Sequence, residues 1–167
     1  MNKKNLVLVI QARFGSSRFR GKVVKNLAGK PMLAQIIKRV KKVKKIKVII
    51  IATTKKKEDD IIVKVAKSNK VQFYRGSENN LVDRYYNAVK DMDIKNLLRL
   101  PSDNPFPEPS EYNRIINYHL KSKNDFSSNI YNFMGNGYPN GIGVEIFTFK
   151  SLKKVWKSKK LKEKKSI

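Results

Sequence analysis

The sequence predicts an α/β protein, a three-layer sandwich with a mainly parallel sheet between helices. Three observations predict it. Short apolar runs without alternation, Leu6-Val7-Leu8-Val9-Ile10 and Val48-Ile49-Ile50-Ile51, read as strands buried on both faces. Segments with apolar residues at helical spacing stand between such runs, so strands and helices alternate along the chain. The length of 167 residues suits one domain, residues 1–167, with a real core and no internal repeat or linker.

The elements follow in order. After the strand at residues 6–10 comes a Gly/Ser-rich basic loop, and Pro31 then opens a helix at a favoured first position. Met32, Leu33, Ile36, Ile37, Val40 and Val43 form its inner face. Lys38, Arg39, Lys41, Lys42, Lys44 and Lys45 form its solvated side and its cationic end. A second strand follows at residues 48–51. Glu58-Asp59-Asp60 sets acids at the positive end of the next helix, whose inner face is Ile61, Ile62, Val65 and Ala66. Residues 71–74 form a short strand. Residues 81–92 form a helix with Leu81, Val82, Tyr85 and Val89 inward.

Residues 97–100 form a strand that ends in a loop around Asp103. Pro109 starts a helix with Tyr112, Ile115, Ile116 and Leu120 inward, and the sole histidine, His119, falls on its solvated side. Phe126-Ser127-Ser128 leads into a Gly/Asn-rich loop over residues 132–143. A strand at residues 144–149 and a lysine-rich helix from Leu152, with Trp156 as a packing anchor, complete the chain.

Composition excludes several chemistries. The chain has no Cys, which removes disulfides, thiolate metal sites and cysteine nucleophiles together. The first apolar run is too short for a signal-peptide core and no later one spans a bilayer, so a soluble, cytoplasmic protein is expected, with no membrane partner. The net charge of +25 suggests a polyanion partner, but of 38 basic residues only eight are Arg and 30 are Lys. Abundant Lys, Asn and Ile fit a compositional bias instead, and no aromatic RNA-binding strand motif is present. No specific nucleic-acid partner is expected.

The chemistry concentrates in the loop Gln11-Ala12-Arg13-Phe14-Gly15-Ser16-Ser17-Arg18-Phe19-Arg20-Gly21-Lys22. Its glycines let a backbone approach a ligand and leave amides to point at it. Its Arg forks and Lys charge suit a polyphosphate. It sits at the carboxyl end of a strand, where open α/β sheets bind ligands. It is not a Walker loop: five residues separate Gly15 from Gly21, and Val23 follows Lys22 where a hydroxyl is required. The Gly-x-Gly-x-x-Gly fingerprint is absent as well. Asp103, in Ser-Asp-Asn-Pro after a strand, is either a hard carboxylate for a magnesium ion or the cap of a turn before Pro105.

The loop, followed by Leu27-Ala28-Gly29-Lys30-Pro31-Met32, resembles the sugar cytidylyltransferases. The nearest branch is the spore coat polysaccharide biosynthesis type, related to the acylneuraminate and Kdo cytidylyltransferases. The resemblance continues in order through Ala52-Thr53-Thr54, Arg75-Gly76-Ser77-Glu78, Asp83-Arg84-Tyr85-Tyr86, Ser102-Asp103-Asn104-Pro105 and Gly141-Ile142-Gly143-Val144-Glu145.

It implies the nucleotide-diphospho-sugar transferase fold, Rossmann-like and of GT-A type. It also implies transfer of CMP from CTP to a sugar acid or related sugar, with Mg2+ as cofactor. It implies that Arg13, Lys22 and Asp103 are catalytic and that Asp103 binds the metal. Ala12, Arg13, Gly15, Ser16, Arg18, Lys22, Ala52, Thr53, Thr54, Arg75, Gly76 and Ser77 would hold the nucleotide, and Asn140, Gly141 and Glu145 the sugar. Thr53 and Thr54 could equally cap the helix after them, and Asp83 with Arg84 could be a surface pair.

The chain departs from the family pattern in places. Arg20 stands where relatives usually have proline, Ser102 where they have glycine, and Asn140 and Gly143 where they have acids, which leaves the sugar open. Relatives continue past the position of Ile167 into a second acidic motif, so a chain lacking that segment is expected to bind CTP weakly and turn over slowly. A homodimer is compatible with the resemblance. A same-fold transferase for another nucleotide, an inactive relative and a basic nucleic-acid-binding protein are the alternatives.

Overall fold

The computed structural model describes residues 6–15, 19–130 and 141–158. In chain order these form β1 (Leu6–Gln11), β2 (Asn26–Leu27), β3 (Lys30–Pro31), α1 (Met32–Val40), β4 (Val48–Thr54), α2 (Asp60–Ser68) and β5 (Gln72–Gly76). There follow α3 (Leu81–Val89), β6 (Asn96–Pro101), α4 (Pro109–Ser122), β7 (Phe126–Ser128), β8 (Glu145–Thr148) and α5 (Phe149–Lys157). Single 3-10 turns at Lys22–Val24 and Lys57–Asp59 lie in the loops after β1 and β4.

Six strands form one sheet in the order β5-β4-β1-β6-β8-β7. The β4, β1 and β6 strands are parallel neighbours, with Val9 between Ile50 and Arg99, and β5 runs parallel to β4. The β8 strand is antiparallel to β6, and β7 to β8. The parallel strands therefore finish together, at Gln11, Thr54, Gly76 and Pro101, and the loops that carry the predicted chemistry rise from that edge.

Both faces of the sheet are covered, which is why its central strands show no alternation. Leu8, Ile10 and Leu98 pack with Leu33, Ile36 and Ile37 of α1, Ile62 of α2 and Tyr112 and Ile116 of α4. Val7, Val9, Ile50 and Leu97 pack with Val82, Tyr85 and Val89 of α3 and Leu152 of α5. The layers are helix, sheet, helix. Among the described residues no helix is long and apolar enough to cross a membrane.

Four expectations are corrected. His119 is buried rather than solvated, because helical spacing sets it on the same face of α4 as Tyr112, Ile115 and Ile116, and it lies between Ser127 Oγ at 3.0 Å and Asn96 Oδ1 at 3.1 Å. Arg84 is buried, not half of a surface pair, and donates to the Ser77 carbonyl at 2.7 Å. Ile61 is exposed in the first turn of α2, before the helix meets the sheet. The last helix begins at Phe149, three residues before Leu152, since the Thr148 hydroxyl accepts from Ser151 N at 3.1 Å and caps it. Trp156 does pack, its ring stacked on Tyr86 at 4.0 Å.

Candidate active site

The loop after β1 is anchored on both sides as it leaves the sheet. Ala12 N donates to Ala52 O at 3.1 Å, and Ser102 N donates to Gln11 O at 3.0 Å. The strongest anchor is Asp59, a buried carboxylate. Its Oδ1 accepts from Phe14 N at 2.7 Å, and its Oδ2 accepts from Thr54 N at 3.1 Å and from the Thr54 hydroxyl. One side chain thus clasps the β1 loop to the end of β4. The loop closes where Gly21 N donates to Phe14 O at 2.8 Å. Gly21 has φ 72°, and a Cβ there would meet the Phe14 ring at 3.0 Å, so both the backbone and the space require glycine.

Lys22 follows, and its Nζ lies 3.6 Å from Asp103 Oδ2 in the loop after β6. The fold therefore brings together the predicted phosphate-binding lysine and the predicted metal-binding carboxylate. Arg13 is exposed at the same edge. Ala12 is buried in the anchored root of the loop, and Gly15 is half-buried beside Glu58. Ser16 and Arg18 lie outside the described residues.

A cleft of about 530 Å³ opens where β4 and β5 end, lined by Thr54, Lys55, Lys56, Tyr74, Gly76, Ser77, Glu78 and Asp83. Of the residues expected to hold a nucleotide, Thr54, Gly76 and Ser77 form its wall. Ala52 and Thr53 are fully buried within β4, and Thr53 Oγ1 has no hydrogen-bond partner among the described residues. The Arg75 guanidinium turns back on its own chain, donating to Thr54 O at 2.9 Å and Lys56 O at 2.7 Å and pairing with Asp60 at 2.5 Å. It holds the loop after β4 in shape. Lys56 bridges to Glu78 at 2.7 Å, and this hydrogen bond raises the lysine's pKa above its ordinary value.

A partly buried polar network lies on the α3 side of the same edge. Gln11 Oε1 accepts from the Tyr85 hydroxyl at 3.0 Å and from Arg99 Nε at 3.3 Å, while Arg99 pairs with Glu145 of β8. Burial pushes the Tyr85 phenol far above its usual pKa, so it stays a donor. Tyr85, Arg99 and Glu145 also line a largely apolar cavity of about 520 Å³ between α3, α5 and the sheet. Gly141, at φ 96°, accepts from Phe106 N at 3.2 Å, which lays the segment before β8 against the Asp103 loop. Asn140 lies outside the described residues.

Sequence reading overlooked Asp59, taken only as a charge near a helix end, and the Gln11–Arg99 contact. A carboxylate a few residues beyond a strand ending in Thr-Thr was the available signal for Asp59. Nothing local signals Arg99, whose partners come from other strands.

The cytidylyltransferase family profile matches residues 7–167. The chain belongs to the cytidylyltransferase family. An uncharacterized protein of Methanocaldococcus jannaschii is 38% identical over 157 residues, which cover 94% of this chain and 62% of that protein. The spore coat polysaccharide biosynthesis protein SpsF of Bacillus subtilis is 30% identical over 127 residues, 74% of this chain and 53% of that one. A 3-deoxy-manno-octulosonate cytidylyltransferase of Anaeromyxobacter dehalogenans is 29% identical over 116 residues, 68% of this chain and 46% of that enzyme. The solved structure of a cytidylyltransferase from Leptospira borgpetersenii superposes with a TM-score of 0.87 at 28% identity, covering 96% of this chain and 68% of that one. The chain thus spans about half to six tenths of the length of these curated relatives.

Proposed function

We propose that the chain is a nucleotidyltransferase that transfers CMP from CTP to a sugar acid or related sugar, for surface polysaccharide synthesis. The observation that carries this reading is the 3.6 Å approach of Lys22 Nζ to the Asp103 carboxylate, at the edge where the parallel strands end. Cation and carboxylate sit on facing loops, the arrangement a metal–triphosphate needs. Relatives named for spore coat polysaccharide and 3-deoxy-manno-octulosonate support the acceptor class.

In the reaction an acceptor oxygen bonds to the α-phosphorus and the bond to the bridging oxygen breaks, releasing pyrophosphate. Lys22 and Arg13 would neutralise charge on the triphosphate, Lys22 at the α-phosphate and leaving group. The cleft beside Thr54, Gly76 and Ser77 would take the cytosine, with backbone groups and hydroxyls reading its edge. Among the described residues no group of three His, Cys, Asp or Glu could hold a metal. The exposed Asp103 carboxylate nevertheless fits a magnesium ion whose other ligands are phosphate oxygens and water. When bound, that ion would add charge neutralisation at the phosphates. A reaction that consumes CTP would suit a cytoplasmic protein.

Pyrophosphate release with CTP, magnesium and a panel of sugar acids tests the reaction. CTP with magnesium should also raise the melting temperature, as any ligand of the native state does. Stabilisation by another nucleoside triphosphate instead of CTP would reassign the base. Stronger stabilisation by nucleic acid at physiological salt would overturn the enzyme reading.

A further inference from the structure

Arg20 stands where the family usually has proline, and the structure gives it a partner that the nucleotide reading does not use. Its guanidinium pairs with Glu58, from the turn after β4. Glu58 does more than meet Arg20. Its Oε1 lies 2.8 Å from where a Cβ on Gly15 would stand, so the carboxylate oxygen presses on the flank that glycine leaves open. The side chain is held from behind: the next residue, Asp59, is fixed by hydrogen bonds to Phe14 and Thr54. Arg20 is held as well, 5.7 Å from the Phe14 ring centroid, while its side chain stays 70% exposed.

We propose that Arg20 is a phosphate-binding residue of the β1 loop, and that the Glu58 carboxylate occupies the place of a phosphate group until a triphosphate displaces it. This rests on the reading of the loop as a triphosphate cradle. Carboxylate and phosphate oxygens accept from the same guanidinium donors. The glycine flank that admits one admits the other. An ion pair with one partner so exposed is weakly held in water, so an anion of several charges competes well against it. Glu58 then excludes singly charged anions from the loop and admits polyphosphates.

Titration calorimetry on wild type, Glu58→Gln, Arg20→Gln and the double variant tests this, with two probes: CTP with magnesium, and inorganic tripolyphosphate. Arg20 is exposed and Glu58 half-buried, and the melting temperatures of the free variants check their folding. Glu58→Gln should tighten both probes by roughly threefold to tenfold, the scale of one charge-assisted contact at an exposed site. Arg20→Gln should weaken them by a similar factor. In the Arg20→Gln background the gain from Glu58→Gln should vanish.

An equal gain in both backgrounds would overturn the proposal, since Glu58 would then act only through its charge on the whole site. Unchanged affinity in Glu58→Gln would overturn it too. Tripolyphosphate following the expected pattern while CTP binds no variant would support the Arg20–Glu58 assignment and sink the nucleotide reading. CTP binding with no effect of either variant would do the reverse.

Discussion

Lys22 reaches Asp103 because of the residue before it. Gly21 turns the chain through a left-handed conformation that any side chain would resist, and the 3-10 turn starting at Lys22 then points the lysine across to the β6 loop. Lys22→Ala removes the charge and leaves that turn intact. The rate of pyrophosphate release should fall by about 10²–10³-fold, the range for one lost transition-state donor, with the circular dichroism spectrum unchanged. An unaltered rate and CTP affinity would remove Lys22 from the site. Asp103→Asn keeps the shape and loses the charge a metal needs. The magnesium-dependent part of CTP's thermal stabilisation should disappear, and a variant with full magnesium–CTP binding would show Asp103 to be a turn residue.

At the scale of elements, the site depends on clasps between loops that different strands deliver. Asp59 is the main one, and it couples the β1 loop to the end of β4 through Phe14 N and Thr54. Asp59→Ala strands two backbone donors and should cost about 2–4 kcal/mol, read as a lower urea midpoint. A change within a few tenths would mean that water replaces the carboxylate.

A second seam joins α4 to β6 and β7 through His119. Burial lowers the pKa of His119 below 6.5, against the opposing pull of Asp125. The unfolded chain therefore takes up a proton near pH 6.5 that the folded chain resists. The stability linked to this group is fully present above pH 6.5 and is lost as the pH falls through the lower folded value. Melting temperatures measured between pH 7.5 and 5 should decline on that limb, and His119→Gln should flatten it. The same slope in the variant would assign the decline to other groups.

At the scale of the whole molecule, the net charge of +25 would favour the approach of a polyanion such as CTP. Most of that charge is lysine, carried by loops and helix ends as well as by helix faces. It acts as a screened field rather than through contacts. The association rate of CTP should therefore fall several-fold as salt rises from about 0.05 to 0.5 M, while the dissociation rate changes less. Stopped-flow measurement checks this, and an association rate insensitive to salt would confine the binding energy to the loop itself.

The sequence by itself determined the layers, the parallel core of the sheet and the edge that holds the loops. Apolar runs such as residues 6–10 are continuous only because helices cover both faces, and that periodicity is a local property of the chain. It also determined which loop carries glycines and cations. Only the tertiary structure decided which charges meet. Lys22 faces Asp103, Glu58 fills the flank of Gly15 beside Arg20, Arg75 folds back on its own loop, and Gln11 gathers Tyr85 and Arg99. His119 falls on the inner face of α4 with Tyr112, Ile115 and Ile116, so its burial was legible in helical spacing, but its partners Ser127 and Asn96 come from other strands. Periodicity reports which way a side chain points along its own element, and it carries no information about what a distant strand will set opposite it.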